Sequence, residues 1–262
     1  MRIHIHTDLE GVSCITSNEK VLLGNESQDE YAVSRLMADI NAAVDGAFDG
    51  GATYIKVLDR HRGGRNFDLS LFDKRAEADA DSTGNWWGEL DDSYDGAFYI
   101  GAHAMAGTPG SFLCHTCSLE WHNYIINGRN FGELGMWGLV CGHYDVPIIM
   151  MSGDIAACQE AAAFFSPIHT AVVKSAESIN HAVALSPEEA YDKIRSAAKE
   201  SMSLIGRAKP LKVILPMEIK IEYSNGWGIN PSEYYDKLPG VERIDGRTLR
   251  KMSGSQDDIF IR

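Results

Sequence analysis

Met1-Arg2-Ile3-His4-Ile5-His6-Thr7-Asp8-Leu9-Glu10-Gly11 opens the chain as a strand that runs into acid. Ile3 and Ile5 fall on one face, His4 and His6 on the other. The alternation stops at Asp8, and Gly11 permits a turn. Next comes Ser27-Gln28-Asp29-Glu30, which has the form of a helix capping box. Val33, Leu36, Met37, Ile40, Val44 and Ala47 then recur at helical spacing until Gly50-Gly51 closes the run. Tyr54 to Asp59 reads as a second strand, interrupted at Arg60-His61-Arg62-Gly63-Gly64. Strand, helix, strand with a helix of this length implies a parallel pair.

The same pattern continues outward. Residues 73–95 are acidic and irregular, with Trp86-Trp87 expected as a covered aromatic patch. Gly96 to Gly101 predicts a third strand that ends at Ala102-His103. Asn123 to Ile126 is a short strand closed by an Asn127-Gly128 turn. Phe131 to Gly135 leads into an apolar helix through Val140, and Val146 to Met151 is a buried strand. Asp154 is placed to cap the Ala-rich helix after it, and Val172 sits in another short strand. Ser186-Pro187-Glu188-Glu189 combines cap, N1 proline and capping-box glutamate, and its helix is expected to reach about Gly206. Leu211 to Tyr223 alternates apolar with charged residues, as a half-exposed strand does. The expected fold is α/β: a mixed, largely parallel sheet flanked by helices, with a smaller C-terminal α/β lobe. Residues 1–262 read as one domain, with 161–262 as a sub-lobe.

Composition narrows the partners. Of 262 residues, 24 are Lys or Arg and 37 are Asp or Glu, for a net charge of −13. Binding to a phosphate backbone relies on Lys and Arg, so nucleic acid is not an expected partner. The longest apolar runs, such as Val146 to Met151, are far short of a membrane span. No basic, apolar and small-residue series opens the chain, so a cytoplasmic location is expected. Five cysteines, an odd number thinly spread, argue against a disulfide scaffold. Cys114-His115-Thr116-Cys117 matches C-x-x-C, but without a second pair it reads as two reduced thiols around a histidine.

Taken singly, the polar residues at the strand ends are unremarkable: Asp-x-Glu pairs are common on surfaces, and a lone histidine is usually structural. Their coincidence carries more. Asp8 with Glu10, His61 and His103 each terminate a strand of the expected sheet. In open α/β sheets ligands lie outside the carboxyl ends of the strands. Carboxylates and imidazoles meeting there suit zinc or a similar divalent ion. Glu133, at a helix start between glycines, could add a carboxylate, although a glutamate there also suits the helix dipole.

Asp8-Leu9-Glu10-Gly11, Asp59-Arg60-His61, Gly101-Ala102-His103-Ala104, Thr108-Pro109-Gly110, His115 and Asn127-Gly128-x-x-x-Gly132-Glu133-Leu134-Gly135 occur in order. Together they resemble the M55 peptidase family, the zinc D-aminopeptidases first described as dipeptide transport proteins. The resemblance runs from residue 1 to Gly153-Asp154 and is looser in the last hundred residues. It implies two zinc ions per subunit held by Asp8, Glu10, His61, His103 and Glu133; of the carboxylates Asp8, fixed at a strand end, is the expected bridge. It also implies a catalytic role for His115, as nucleophile, general acid/base or support for an oxyanion. The implied activity is removal of the N-terminal residue from short, D-amino-acid-containing peptides. The implied assembly is a ring-shaped homo-oligomer, a decamer of two pentamers, with sites facing an internal channel. Two alternatives stand beside it: a cytosolic peptide-binding accessory of dipeptide transport, and a metallo-amidase acting on a non-peptide substrate.

Overall fold

The computed structural model describes residues 1–21, 30–80, 86–225, 235 and 237–261. In chain order the elements are β1 (Arg2–Thr7), α1 (Glu30–Asp49), β2 (Tyr54–Asp59), β3 (Glu77–Asp79) and β4 (Gly96–Ala102). There follow β5 (Trp121–Ile126), β6 (Arg129–Asn130), α2 (Glu133–His143), β7 (Ile148–Asp154) and α3 (Ile155–Phe164). The chain ends through β8 (His169–Ser178), β9 (His181–Ala184), α4 (Pro187–Ser201), β10 (Met217–Tyr223), β11 (Val241–Arg243) and β12 (Thr248–Ser253).

One sheet has the order β3-β2-β1-β4-β7-β8-β9. All its pairs are parallel except β8 with β9. The other, β11-β12-β10-β5-β6, is antiparallel throughout. The large sheet winds outward in two directions: β1 to β2 to β3 on one side, β4 to β7 to β8 on the other. The reversal falls between β1 and β4, which opens a crevice beyond their carboxyl ends. The small sheet takes β5 and β6 from mid-chain and the rest from the C-terminal region. Residue 161 lies inside α3.

Packing explains this layering. Ile3 and Ile5 join Leu36, Met37, Ile40 and Val44 of α1 and Ile194, Ala197 and Ala198 of α4 in one core. On the other face, Tyr99, Leu134 and Trp137 pack with Ala157 of α3 and with Met217, Ile219 and Ile221 of the small sheet. Each fully buried aliphatic side chain is worth about 1.5–3 kcal/mol, against about 1 kcal/mol for a good helix cap. The faces therefore decide the fold, and the caps only set the ends.

Those ends agree with the sequence at two helices. Ser186 and Glu189 form the reciprocal capping box of α4, and the Asp154 side chain accepts from Ala157 N at 2.7 Å to cap α3. The Ser27–Glu30 capping box lies outside the described residues except for Glu30 itself. Other boundaries differ for definite reasons. The strands expected from Val146 and Leu211 begin only after Pro147 and Pro216, because proline has no N–H for a ladder. The α4 helix stops at Ser201 and tightens into a 3-10 turn, Met202–Leu204. The region read as irregular contains β3, paired parallel to β2 at the sheet edge.

Candidate metal centre

β1 ends at Thr7, and the chain bends instead of continuing extended to Glu10. Asp8 N donates to Ile100 O and Gly11 N to Gly101 O, which lays residues 8–11 across the end of β4. Two glycines make that crossing possible. Gly101 has φ +77°, and a Cβ there would lie 2.2 Å from Asp8 O. A Cβ on Gly11 would lie 2.0 Å from Ala102 O.

The bend brings the sequence-predicted residues together. His61 Nδ1 is 3.0 Å from Asp8 Oδ1 and 3.2 Å from Glu10 Oε2. His103 Nε2 is 3.3 Å from Asp8 Oδ2 and 3.3 Å from Glu133 Oε1. Asp8 is thus the central carboxylate, with one oxygen toward each histidine. His115 Nε2 lies 3.7 Å from Glu133 Oε1, and its ring stacks on His103 with centroids 4.0 Å apart. Glu133 stands at the start of α2, where Oε1 also accepts from Cys117 N at 2.8 Å.

Hydrogen bonds behind the cluster orient it. His103 Nδ1 faces Ala104 O at 3.0 Å and His115 Nδ1 faces Leu113 O at 2.8 Å. Each carbonyl accepts a hydrogen bond from the Nδ1–H, so Nε2 is the atom presented to the carboxylates. Asp59 fixes the His61 loop: both of its oxygens accept from Asn66, whose side chain also donates to His61 O at 2.7 Å. Lys174 is buried and donates from Nζ to Glu10 O at 2.6 Å and Ile15 O at 2.8 Å. Tyr99 Oη donates to Asp8 Oδ2 at 3.5 Å. Sequence reading missed Lys174 and Tyr99. A lysine closing the apolar run Ala171-Val172-Val173 was the available signal for the first; nothing marked the second.

The electrostatics are those of a site short of positive charge. Asp8, Glu10 and His103 each offer an atom within 4.8 Å of the others, as do His103, His115 and Glu133. Like charges about 4 Å apart repel by roughly 4 kcal/mol at an effective dielectric near 20. Burial and the neighbouring Glu10 raise the Asp8 carboxyl above the usual range. Burial also opposes charge on Glu10 and Glu133, yet His61 and His103 respectively hold these two below it. The imidazoles move the other way: burial opposes their charge, but the carboxylates outweigh it, pushing His61 up to about 10 and His103 well above its ordinary value. Glu10 Oε2 and His103 Nε2 are shielded from solvent with ion-pair neighbours at 3.2 and 3.3 Å but no aligned hydrogen bond. Buried polar atoms without a hydrogen bond are costly. A divalent cation among these oxygen and nitrogen donors would satisfy both, so the residues present fit zinc.

A cavity of about 360 Å³ opens onto the cluster, lined by Asp8, Glu10, His61, His115 and Glu133 together with Arg60, Arg62, Trp86, Leu119 and Phe260. Cys117 also lines it, and Cys114 and Cys117 are both free thiols, as expected from the single C-x-x-C. Among the described residues no helix is long and apolar enough to cross a membrane.

Carboxylates and imidazoles gathered at a strand-order reversal, beside an open cavity, define a metallohydrolase. The chain belongs to the M55 peptidase family, whose model, described as D-aminopeptidase, matches residues 1–261. It is similar to a D-aminopeptidase of Bacillus subtilis (strain 168), with 30% identity covering 95% of this chain and 89% of that protein. Its fold matches the Zn-dependent D-aminopeptidase DppA from Bacillus subtilis, a self-compartmentalizing protease, with a TM-score of 0.92 and 25% identity. That match covers 99% of this chain and 94% of the other. The transport-accessory and non-peptide amidase alternatives are not favoured by these likenesses.

Proposed function

We infer that this chain is a zinc-dependent aminopeptidase that removes an N-terminal D-residue from short peptides. The observation that carries the reading is the central position of Asp8, one oxygen toward His61 and the other toward His103. Asp8, Glu10 and His61 would hold one ion, and Asp8, His103 and Glu133 the other. When bound, a zinc pair supplies a Lewis acid and lowers the pKa of a bound water toward about 7.

The chain's own residues do the rest. The acidic cluster favours a substrate's free α-amino group, which restricts cleavage to the N-terminal bond. His115 lines the cavity with Nε2 3.7 Å from Glu133 Oε1 and Nδ1 anchored on Leu113 O. It is placed to accept a proton, return it to the leaving amine, or steady an oxyanion. Trp86 and Phe260, edge to face at 5.8 Å, give the cavity an apolar wall.

Residues 1–262 are read as a single domain because β8 and β9 extend the main sheet and mid-chain β5 and β6 join β10–β12 in the small one; the proposed sub-lobe 161–262 shares both sheets with the rest of the chain. We place the protein in the cytoplasm on the strength of its five free cysteines. We propose a ring-shaped homo-oligomer, a decamer of two pentamers, as the family resemblance implies; the self-compartmentalizing description of the DppA relative supports assembly in general. Hydrolysis of D-Ala-Gly and L-Ala-Gly, with chelator and then with zinc restored, tests the activity. Cleavage of the D form, lost on chelation and recovered with zinc, is the expected result. No cleavage of either by metal-replete protein would contradict the reading.

A further inference from the structure

β7 ends in Asp154, a buried carboxylate whose two oxygens face different parts of the chain. Oδ1 caps α3 by accepting from Ala157 N at 2.7 Å. A cap needs no more than that, and Ser, Thr or Asn would supply it as well. Oδ2 is engaged elsewhere: it accepts from Phe112 N at 2.7 Å and from Ser111 Oγ at 3.1 Å. These two residues open the short loop that carries His115. Two donors on one buried oxygen are what a carboxylate adds over a neutral cap, and its charge makes both bonds the stronger kind.

The loop needs such an anchor. Leu113, next in the chain, has φ +52°, a left-handed conformation that a residue with a Cβ disfavours. Such a conformation persists where the bonds around it over-determine it. Asp154 fixes the residue before Leu113, and Leu113 N donates to Ile179 O at 2.7 Å. Leu113 O is thereby held 2.8 Å from His115 Nδ1, the contact that orients the imidazole. We propose that Asp154 is a positioning residue for His115, acting through the backbone of Phe112 and the carbonyl of Leu113. This rests on the aminopeptidase reading, in which His115 serves the chemical step, and deepens it by naming what holds that histidine. Among the described residues the Asp154 side chain bonds to Ser111, Phe112 and Ala157 and to none of Asp8, Glu10, His61, His103 and Glu133. Its loss should therefore disturb His115 and spare the metal ligands.

The test uses zinc-loaded protein and D-Ala-Gly. Asp154→Ser keeps a cap for α3 but is too short to hold the loop as well. It should retain its zinc and lower kcat by roughly 10- to 100-fold, the cost of a misplacement of about 1 Å, with KM within about twofold. In crystals of that variant the His115 ring should leave its stack on His103, where the centroids lie 4.0 Å apart, while the five zinc ligands stay in place. Ser111→Ala, which leaves the α3 cap alone, should lower kcat in the same direction and by less. The arm that separates positioning from general structural damage is the cycle with His115→Ala. Added to His115→Ala, Asp154→Ser should lower the residual kcat by no more than about twofold, whereas independent effects would multiply. Multiplied losses, an unmoved ring, loss of zinc, or unchanged kcat in both Asp154→Ser and Ser111→Ala would each overturn the assignment. Failure of wild type to cleave the dipeptide would instead overturn the aminopeptidase reading, and the position of the ring in the crystal would still decide whether Asp154 holds His115.

Discussion

Two pairs of buried histidines, one in the middle of β1 and one beyond the strand ends, are driven to opposite charge states. His4 and His6 lie in a box of Tyr94, Tyr99, Trp86 and Trp137, with ring centroids 4.5–5.4 Å apart. Both nitrogens of His4 and Nδ1 of His6 have no hydrogen-bond partner. Burial, helped by Lys56, lowers His4 to about 3, and burial with His4 and Arg60 holds His6 well below its ordinary value. His61 and His103 are nearly as buried but face carboxylates, and their values rise. Burial discharges an imidazole; carboxylate company charges it. A functional histidine in this fold is therefore recognised by its neighbours, not by how deep it sits.

The sharpest way to break that contrast is at His115, which stacks on His103 but is anchored on a backbone carbonyl. His115→Ala should keep its zinc and lower kcat by about 10²- to 10⁴-fold with little change in KM. Zinc analysis beside the kinetics checks this, and metal loss would move His115 into the ligand set. Glu133→Gln keeps shape and removes charge. Since losing a group that merely supports a ligand costs roughly ten- to hundredfold in affinity, losing this one should cost at least that in a zinc titration. Full zinc affinity in the variant would remove Glu133 from the cluster.

Asp39 sharpens the comparison from the acid side. It is buried, accepts from Ser13 N and Ser13 Oγ, and has no imidazole partner among the described residues. Burial raises it to about 6. A carboxyl raised above its unfolded value near 3.8 holds extra protons in the native state, so stability falls as pH rises from about 4 to 6. Asp39→Asn lacks this term. Relative to wild type it should gain about 3 kcal/mol between pH 4 and pH 7, read from denaturant melts at each pH. A pH-independent difference would contradict the assignment. The smallest effect belongs to the aromatic box. His4→Phe should change stability by no more than about 1 kcal/mol and leave turnover intact, because no hydrogen bond is lost. A steep loss of activity would show that His4 serves the site after all.

Much of this was legible in the sequence, and unevenly so. The residue types at the ends of β1, β2 and β4 pointed to a metal because each broke an apolar pattern at a strand terminus. The reversal between β1 and β4 follows from long-range pairing, which periodicity does not encode, and it is what makes Asp8 central. β3, β9 and β11 went unread because edge strands of three or four residues bury too little to leave an alternation, and β12, paired on both sides, fully buries only Leu249 and Ser253. The small sheet joins β5 to β10 across the chain, a register set by tertiary packing of Tyr124, Ile126, Ile219 and Ile221. His4 and His6 were placed correctly on one face, but no local signal told an aromatic box from a ligand shell.

Anomalous diffraction at the zinc edge, on crystals of the zinc-loaded protein, tests the central claim most directly. Two peaks should appear between Asp8, Glu10, His61, His103 and Glu133, with Asp8 contacting both and the imidazoles of His4 and His6 contacting neither. A single peak, or zinc held instead by Cys114, His115 and Cys117, would contradict it.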